Sequence, residues 1–165
     1  MFTLEERMDS PRTSFYKRST FVTHLPVTYL YSPSHYWLSL EPGTENRWRV
    51  GITKFAARML GEIVDHQFEK MSGDAVAAGE IIGSIEGFKA ISDVYCVGTG
   101  AFVQSNPALK ARAELVTEDP YGEGWLYILD GTPDAKCGDI ESYRQLLDST
   151  IDRILEKQKG EDELP

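Results

Sequence analysis

In the stretch IEGFKAISDVY a single lysine, Lys89, stands on a Gly-Phe corner between two segments that both read as strands. A lysine amine offers two kinds of chemistry. General-base or Schiff-base work wants it desolvated, with a lowered pKa. Covalent attachment of a long carrier arm wants it in water, on a rigid support. The flanks favour the second. GDAVAAGEIIGSI before the lysine and SDVYCVGTGAFV after it carry glycines and short apolar steps in a comparable layout. They predict two similar strand pairs meeting at a hairpin whose tip is GFKA, with the amine pushed away from the apolar layer.

The other reactive side chains say less. Cys96 and Cys137 form no CxxC pair, and two free thiols are the expectation for an intracellular chain. Cys96 lies close to Lys89 in sequence and is therefore a candidate for a sulfur relay. His24, His35 and His66 show neither HxxxH nor HExxH spacing, so no metal site is expected. Acidic residues gather around the lysine, from Glu62, Asp65, Glu69 and Asp74 to Glu80, Glu86 and Asp93. Solvated surface is the plain reading of such a cluster, and a negative face for basic partner enzymes is the sharper one. A net charge of −9 argues against binding a phosphate backbone, so nucleic acid is not an expected partner.

The elements that must hold Lys89 follow from patterning. With 165 residues, 41% apolar and 26% charged, the chain has the makings of one ordinary globular domain. No apolar run approaches the roughly 18 residues of a membrane span, and the opening MFTLEERMDSPRTSFYKRST lacks the apolar core of a secretory signal, which predicts a cytoplasmic location. YWLSL and RWRVGI, joined by EPGTEN, read as a hairpin. Thr53 caps a predicted helix KFAARML, with Phe55, Ala56, Met59 and Leu60 on its packing side and Gly61 as its stop. EIVDHQF, DAVAAGEIIGSI, SDVYCV and GAFVQ are short apolar runs cut by glycine, the signature of a sandwich or barrel. Asn106-Pro107 predicts the start of a short helix over PALKARAEL, and WLYIL a closing strand. Asp139 caps a C-terminal helix whose Ile140, Tyr143, Leu147, Ile151 and Ile154 form one apolar stripe, a docking face. After Leu155 a solvated tail is expected. The domain plan is an N-terminal extension over 1–24, a carrier domain over 25–132, and a C-terminal helix with acidic tail over 133–165 packing on it.

Several blocks, from about Tyr31 to Tyr143, resemble the H protein of the glycine cleavage system, a lipoyl-lysine carrier. YSPSHYWL resembles its opening Tyr-x-x-x-His-Glu-Trp-Val, and VGITKFAARMLGEIV its Val-Gly-Ile-Thr-Asp-x-Ala segment ending in Leu-Gly-Asp-Ile-Val. GEIIGSIEGFKAISDVY is similar to its Glu-Ser-Val-Lys-Ala-x-Ser-Asp modification hairpin, and ELVTEDPYGEGWL to a block with a Pro-Tyr-Gly-Glu-Gly-Trp turn. The resemblance implies a mainly β fold, a barrel-sandwich hybrid with short helices and a C-terminal helix. It implies lipoate on Lys89, a carrier that catalyses nothing itself, and a lipoate–protein ligase or lipoyltransferase that meets Glu86, Ser92 and Asp93.

Departures from the family pattern bear on cargo. The residue between His35 and the tryptophan is an acid in glycine-cleaving H proteins, near the aminomethyl group of the parked arm; here it is Tyr36, and a phenol offers no full negative charge. Lys54, Val97 and Gly87-Phe88 also depart from the pattern. His35 and Tyr36 are thus the expected cargo-cleft residues. With Cys96 near the arm, these changes favour the H-like lipoate-binding branch of bacterial sulfur oxidation, whose partner is a heterodisulfide-reductase-like complex. The alternative is a glycine cleavage H protein working with glycine decarboxylase, aminomethyltransferase and dihydrolipoyl dehydrogenase. A second alternative is an unmodified interaction domain. A biotin carrier is disfavoured, since Phe88 and Ala90 stand where it wants methionines. A monomer is expected.

Overall fold

The computed structural model describes residues 11–162. Its strands pair antiparallel and build three sheets. A hairpin joins β1 (Thr13–Arg18) to β2 (Phe21–Pro26). The largest sheet has the order β3-β4-β5-β11-β10-β7, from β3 (Leu30–Tyr31), β4 (Tyr36–Leu40), β5 (Arg47–Ile52), β11 (Tyr127–Pro133), β10 (Gly98–Ser105) and β7 (Ala75–Val76). The third has the order β6-β8-β9, from β6 (Ile63–Phe68), β8 (Ile81–Gly87) and β9 (Ile91–Tyr95). This is the mainly β barrel-sandwich architecture expected from the sequence.

Two apolar clusters share the interior. The first joins the two larger sheets through Leu38, Val50, Ile82, Ile85, Val94 and Leu129. The second gathers Tyr16, Phe21, Leu25, Trp37, Tyr143 and Leu147 beneath the C-terminal helix. Strand β4 serves both because its side chains alternate: Tyr36 and Leu38 enter the first cluster, Trp37 the second. Trp37 also spends its indole N–H, donating to the carbonyls of Ile52 at 3.1 Å and Pro120 at 2.8 Å.

Helix α1 (Lys54–Leu60) starts and stops where expected, with the Thr53 side chain accepting from the Ala56 N–H and Gly61 closing the last turn on the Ala57 carbonyl. Its packing differs. Because α1 lies between the two clusters, Phe55 enters one while Ala57 and Leu60 enter the other, and Met59 is left exposed. The helix expected over PALKARAEL is instead a single tight turn, Pro107–Lys110, and a separate short α2 (Leu115–Glu118). Buried Asn106 pins that turn, accepting from the Ala108 N–H and donating to the carbonyls of Glu123 and Trp125.

The C-terminal helix α3 (Ile140–Asp162) runs past Leu155, where a tail was expected. EKQK is built of good helix formers, so the exposed end continues the helix. Tyr143, Leu147 and Ile151 are its buried stripe. Burying each such apolar side chain contributes roughly 1.5–3 kcal/mol. The exposed bidentate pair of Arg18 with Asp152, at 2.6 and 3.0 Å, contributes much less and sets register instead. Tyr16 donates to Asp148 at 2.7 Å, and Arg144 donates to Ser14 and to the Phe15 carbonyl. The N-terminal hairpin is thus clasped to α3. Strand β2 runs through the boundary expected at residues 24 and 25, while residues 1–10 and 163–165, with part of the expected extension and tail, lie outside the described residues. No helix among the described residues is long and apolar enough to cross a membrane.

Candidate functional site

Lys89 sits at the tip of the β8–β9 hairpin, exposed, between Phe88 and Ala90. The tip is fastened through its backbone. The Gly87 N–H closes it on the Ala90 carbonyl at 2.9 Å, the Phe88 N–H donates to Glu62 at 3.0 Å, and the Lys89 N–H donates to Leu60 at 2.9 Å. The last bond seats the tip on the C-terminal end of α1. Two glycines permit this approach. A Cβ at Gly87 would overlap the Leu60 carbonyl, and Gly61, at a φ of +79°, faces Lys89 so closely that a Cβ would stand 3.0 Å from Lys89 Cγ. The amine itself makes one weak contact, Nζ to the Arg58 carbonyl at 3.4 Å.

Strand register sorts the residues around it. Asp65, Glu86 and Ile91 form one cross-strand row and Gln67, Ser84 and Asp93 the next, on the outer face of the three-stranded sheet. Glu86 and Asp93 are therefore brought together on the outside. Ser92 pairs with buried Ile85 on the opposite face, and its hydroxyl donates to the Asp93 carbonyl at 2.9 Å. Phe88 and Ile91, 74% and 71% exposed, flank the lysine with apolar surface. Glu80, in contrast, is spent in a 2.6 Å ion pair with Lys70.

His35 and Tyr36, expected in one cleft, pack in different clusters. His35, at a φ of +70°, lies against Phe55, with Nδ1 2.9 Å from the Tyr143 hydroxyl, which in turn is 2.7 Å from Thr53 Oγ1. Burial pushes the imidazole down to about 4, so it is neutral. Tyr36 is buried in the first cluster, and its hydroxyl accepts from the Tyr95 N–H at 3.0 Å. Burial pushes that phenol up to about 12. Thr53 and Tyr143 complete the His35 network; only their polar atoms within apolar stretches hinted at this.

Cys96 faces the core rather than the arm. Its thiol donates to the Gly98 carbonyl at 3.1 Å, and burial raises its pKa, which withholds the thiolate that a sulfur relay needs. Cys137 is half-buried and pushed up to about 11, first by burial and then by Asp134. Among the described residues no three His, Cys, Asp or Glu side chains gather as metal ligands.

The family model described as "Glycine cleavage H-protein" matches residues 29–150. The chain belongs to the glycine cleavage H-protein family. It is 41% identical to the glycine cleavage system H protein of Corynebacterium jeikeium over 124 residues, 74% of this chain and 97% of that one. With the H protein of Kocuria rhizophila it shares 36% over 132 residues, 77% of this chain and all of the relative. The crystal structure of the H protein from Mycobacterium marinum superposes with a TM-score of 0.65 at 33% identity, covering 72% of this chain and 95% of that chain. Members of this family are non-catalytic carriers with lipoate covalently bound to a lysine. The sulfur-oxidation preference drawn from Tyr36 and Cys96 finds no support among these relatives, which are named for glycine cleavage. The geometry explains the misreading, since Cys96 is turned inward. The match begins after β2 and ends within α3, so the N-terminal hairpin and the end of that helix are additions to the matched region.

Proposed function

We propose that this chain is the lipoyl carrier of a glycine cleavage system, with lipoate in amide linkage on Lys89. The observation that carries the reading is the tip: an exposed amine on a hairpin whose backbone is bonded to Leu60 and Glu62, in a chain of the H-protein family. When bound, lipoate supplies a cyclic disulfide, held far from the relaxed dihedral near 90°, that opens to thiolates and carbanions. The chain's residues do the rest. The fastened tip fixes the origin of the arm, so the reactive end stays at high effective concentration beside a docked partner. Glu86 and Asp93, with Phe88 and Ile91, form the face offered to a lipoate–protein ligase or lipoyltransferase. The partners in turn are glycine decarboxylase, aminomethyltransferase and dihydrolipoyl dehydrogenase, met in the cytoplasm by a monomer.

The cargo of such a carrier is an amine, protonated near neutral pH, and Tyr36 stays an uncharged phenol whose oxygen is occupied by the Tyr95 N–H. Asp93 is exposed on β9, two residues before Tyr95, the residue whose N–H the Tyr36 hydroxyl accepts. We assign the negative charge that receives the cargo to Asp93. The test is intact mass after ligase treatment, with the increment expected on Lys89 and lost in Lys89→Arg. Incubation with glycine and glycine decarboxylase should then add the aminomethyl group, several-fold more slowly in Asp93→Asn. A lipoylated chain that never gains this group would end the glycine assignment.

A further inference from the structure

Lys89 lines a groove of about 250 Å³ that runs between the β1–β2 turn, α1 and the far end of α3. The volume falls below the roughly 300–1,000 Å³ of a site for a drug-sized ligand and suits one ring and its chain. Its floor is apolar. Phe21 and Phe55 are buried and meet edge to face at 5.5 Å, and Ile154 is half-buried. Met59 and Leu155, 53% and 41% exposed, form the walls. One cation stands at the edge, the Arg58 guanidinium, 5.9 Å from the Phe21 ring centre. The other, Arg18, is already paired with Asp152. Phe21, Ile154 and Leu155 all fall outside the region matched by the family model, so what the chain adds to that region completes the groove over Phe55, Arg58 and Met59.

We propose that this groove is a resting site for the lipoyl arm of the same chain in its unloaded, disulfide state. The inference rests on Lys89 as the attachment site. Three observations argue for that occupant. The tether begins inside the groove, so even weak contacts are made at the millimolar effective concentration typical of a short link. The Lys89 Nζ lies 3.4 Å from the Arg58 carbonyl, and a secondary amide keeps one N–H, so acylation preserves the donor that turns the side chain toward α1. A dithiolane is apolar and polarisable, and sulfur packs well against aromatic rings and a methionine thioether such as those of Phe21, Phe55 and Met59. Charge selects the state. The permanent cation of Arg58 tolerates a neutral disulfide and repels an arm that carries a protonated amine. Loading therefore drives the arm out of this groove, toward the side of the hairpin where Asp93 is exposed.

The experiment uses the full chain with methyl-labelled Met, Ile and Leu, before and after lipoylation, each sample checked by intact mass. Lipoylation should shift the methyl signals of Met59, Ile154 and Leu155, and aminomethyl loading should return them to their unmodified positions. The disulfide arm should be reduced by a water-soluble phosphine several-fold more slowly than free lipoamide, and Met59→Glu and Leu155→Glu should each restore the free rate. Both positions are on the surface, so the variants fold. An unmodified mass would remove the carrier reading and this one with it. A lipoylated mass with those methyls unmoved, or with a Met59→Glu rate equal to wild type, would remove the groove alone.

Discussion

Two hairpins of this molecule, β8–β9 and β1–β2, are each a pair of short antiparallel strands with a tight turn, yet they are fastened by different means. The strands of the lysine hairpin bury Ile82, Ile85 and Val94 and pair with β6, but its tip is held by backbone bonds to Leu60 and Glu62. Its tip side chains, Phe88, Lys89 and Ala90, remain exposed. The N-terminal hairpin has no third strand among the described residues. It is held by side chains, with Tyr16, Phe21 and Leu25 buried in the second cluster and Tyr16 and Arg18 tied to Asp148 and Asp152. Backbone fastening leaves side chains free for chemistry, whereas side-chain fastening consumes them. A modification site belongs on the first kind.

Damage to the second cluster should therefore cost stability while sparing the tip. Leu147 is fully buried beneath the N-terminal hairpin, so Leu147→Ala should lose about 2–5 kcal/mol in urea denaturation. The folded fraction should still be lipoylated at the wild-type rate; a slowed rate would show that the two regions are coupled.

The next effect is electrostatic and belongs to the same cluster. Burial lowers His35 from 6.5 to about 4, so between those pH values the unfolded chain binds a proton that the folded chain refuses. Stability should be full above pH 6.5 and fall as pH drops toward about 4, by up to about 3 kcal/mol, then level off. The check is a denaturation series over that range against His35→Asn, chosen because asparagine tolerates the positive φ of this position. The variant should lose this part of the slope and keep what the carboxylates contribute.

The smallest expected cost of stability falls on the tip, and it should carry the largest functional signal. Gly87→Val forces a side chain against the Leu60 carbonyl, and overpacking of this kind costs about 1–3 kcal/mol. Lifting the tip from α1 should slow lipoylation of Lys89, measured by mass against time, far more than Leu147→Ala does.

The local grammar of the chain was enough for much of this. The hairpin around GFKA, the Thr53 and Gly61 ends of α1 and the apolar stripe of α3 could be read directly, because turn residues, caps and periodicity act within a few positions. The lysine was legible for the same reason. Only tertiary packing decided the remainder. His35 and Tyr36 are neighbours in sequence but pack in different clusters because His35, at a φ of +70°, ends the turn before β4 and Tyr36 begins the strand, and what waits on each side comes from distant segments. Cys96 is close to Lys89 along the chain and turned inward in space. The groove beside the lysine exists because residues 18–21 and 151–158, far apart in sequence, close over α1, and no local pattern records that meeting.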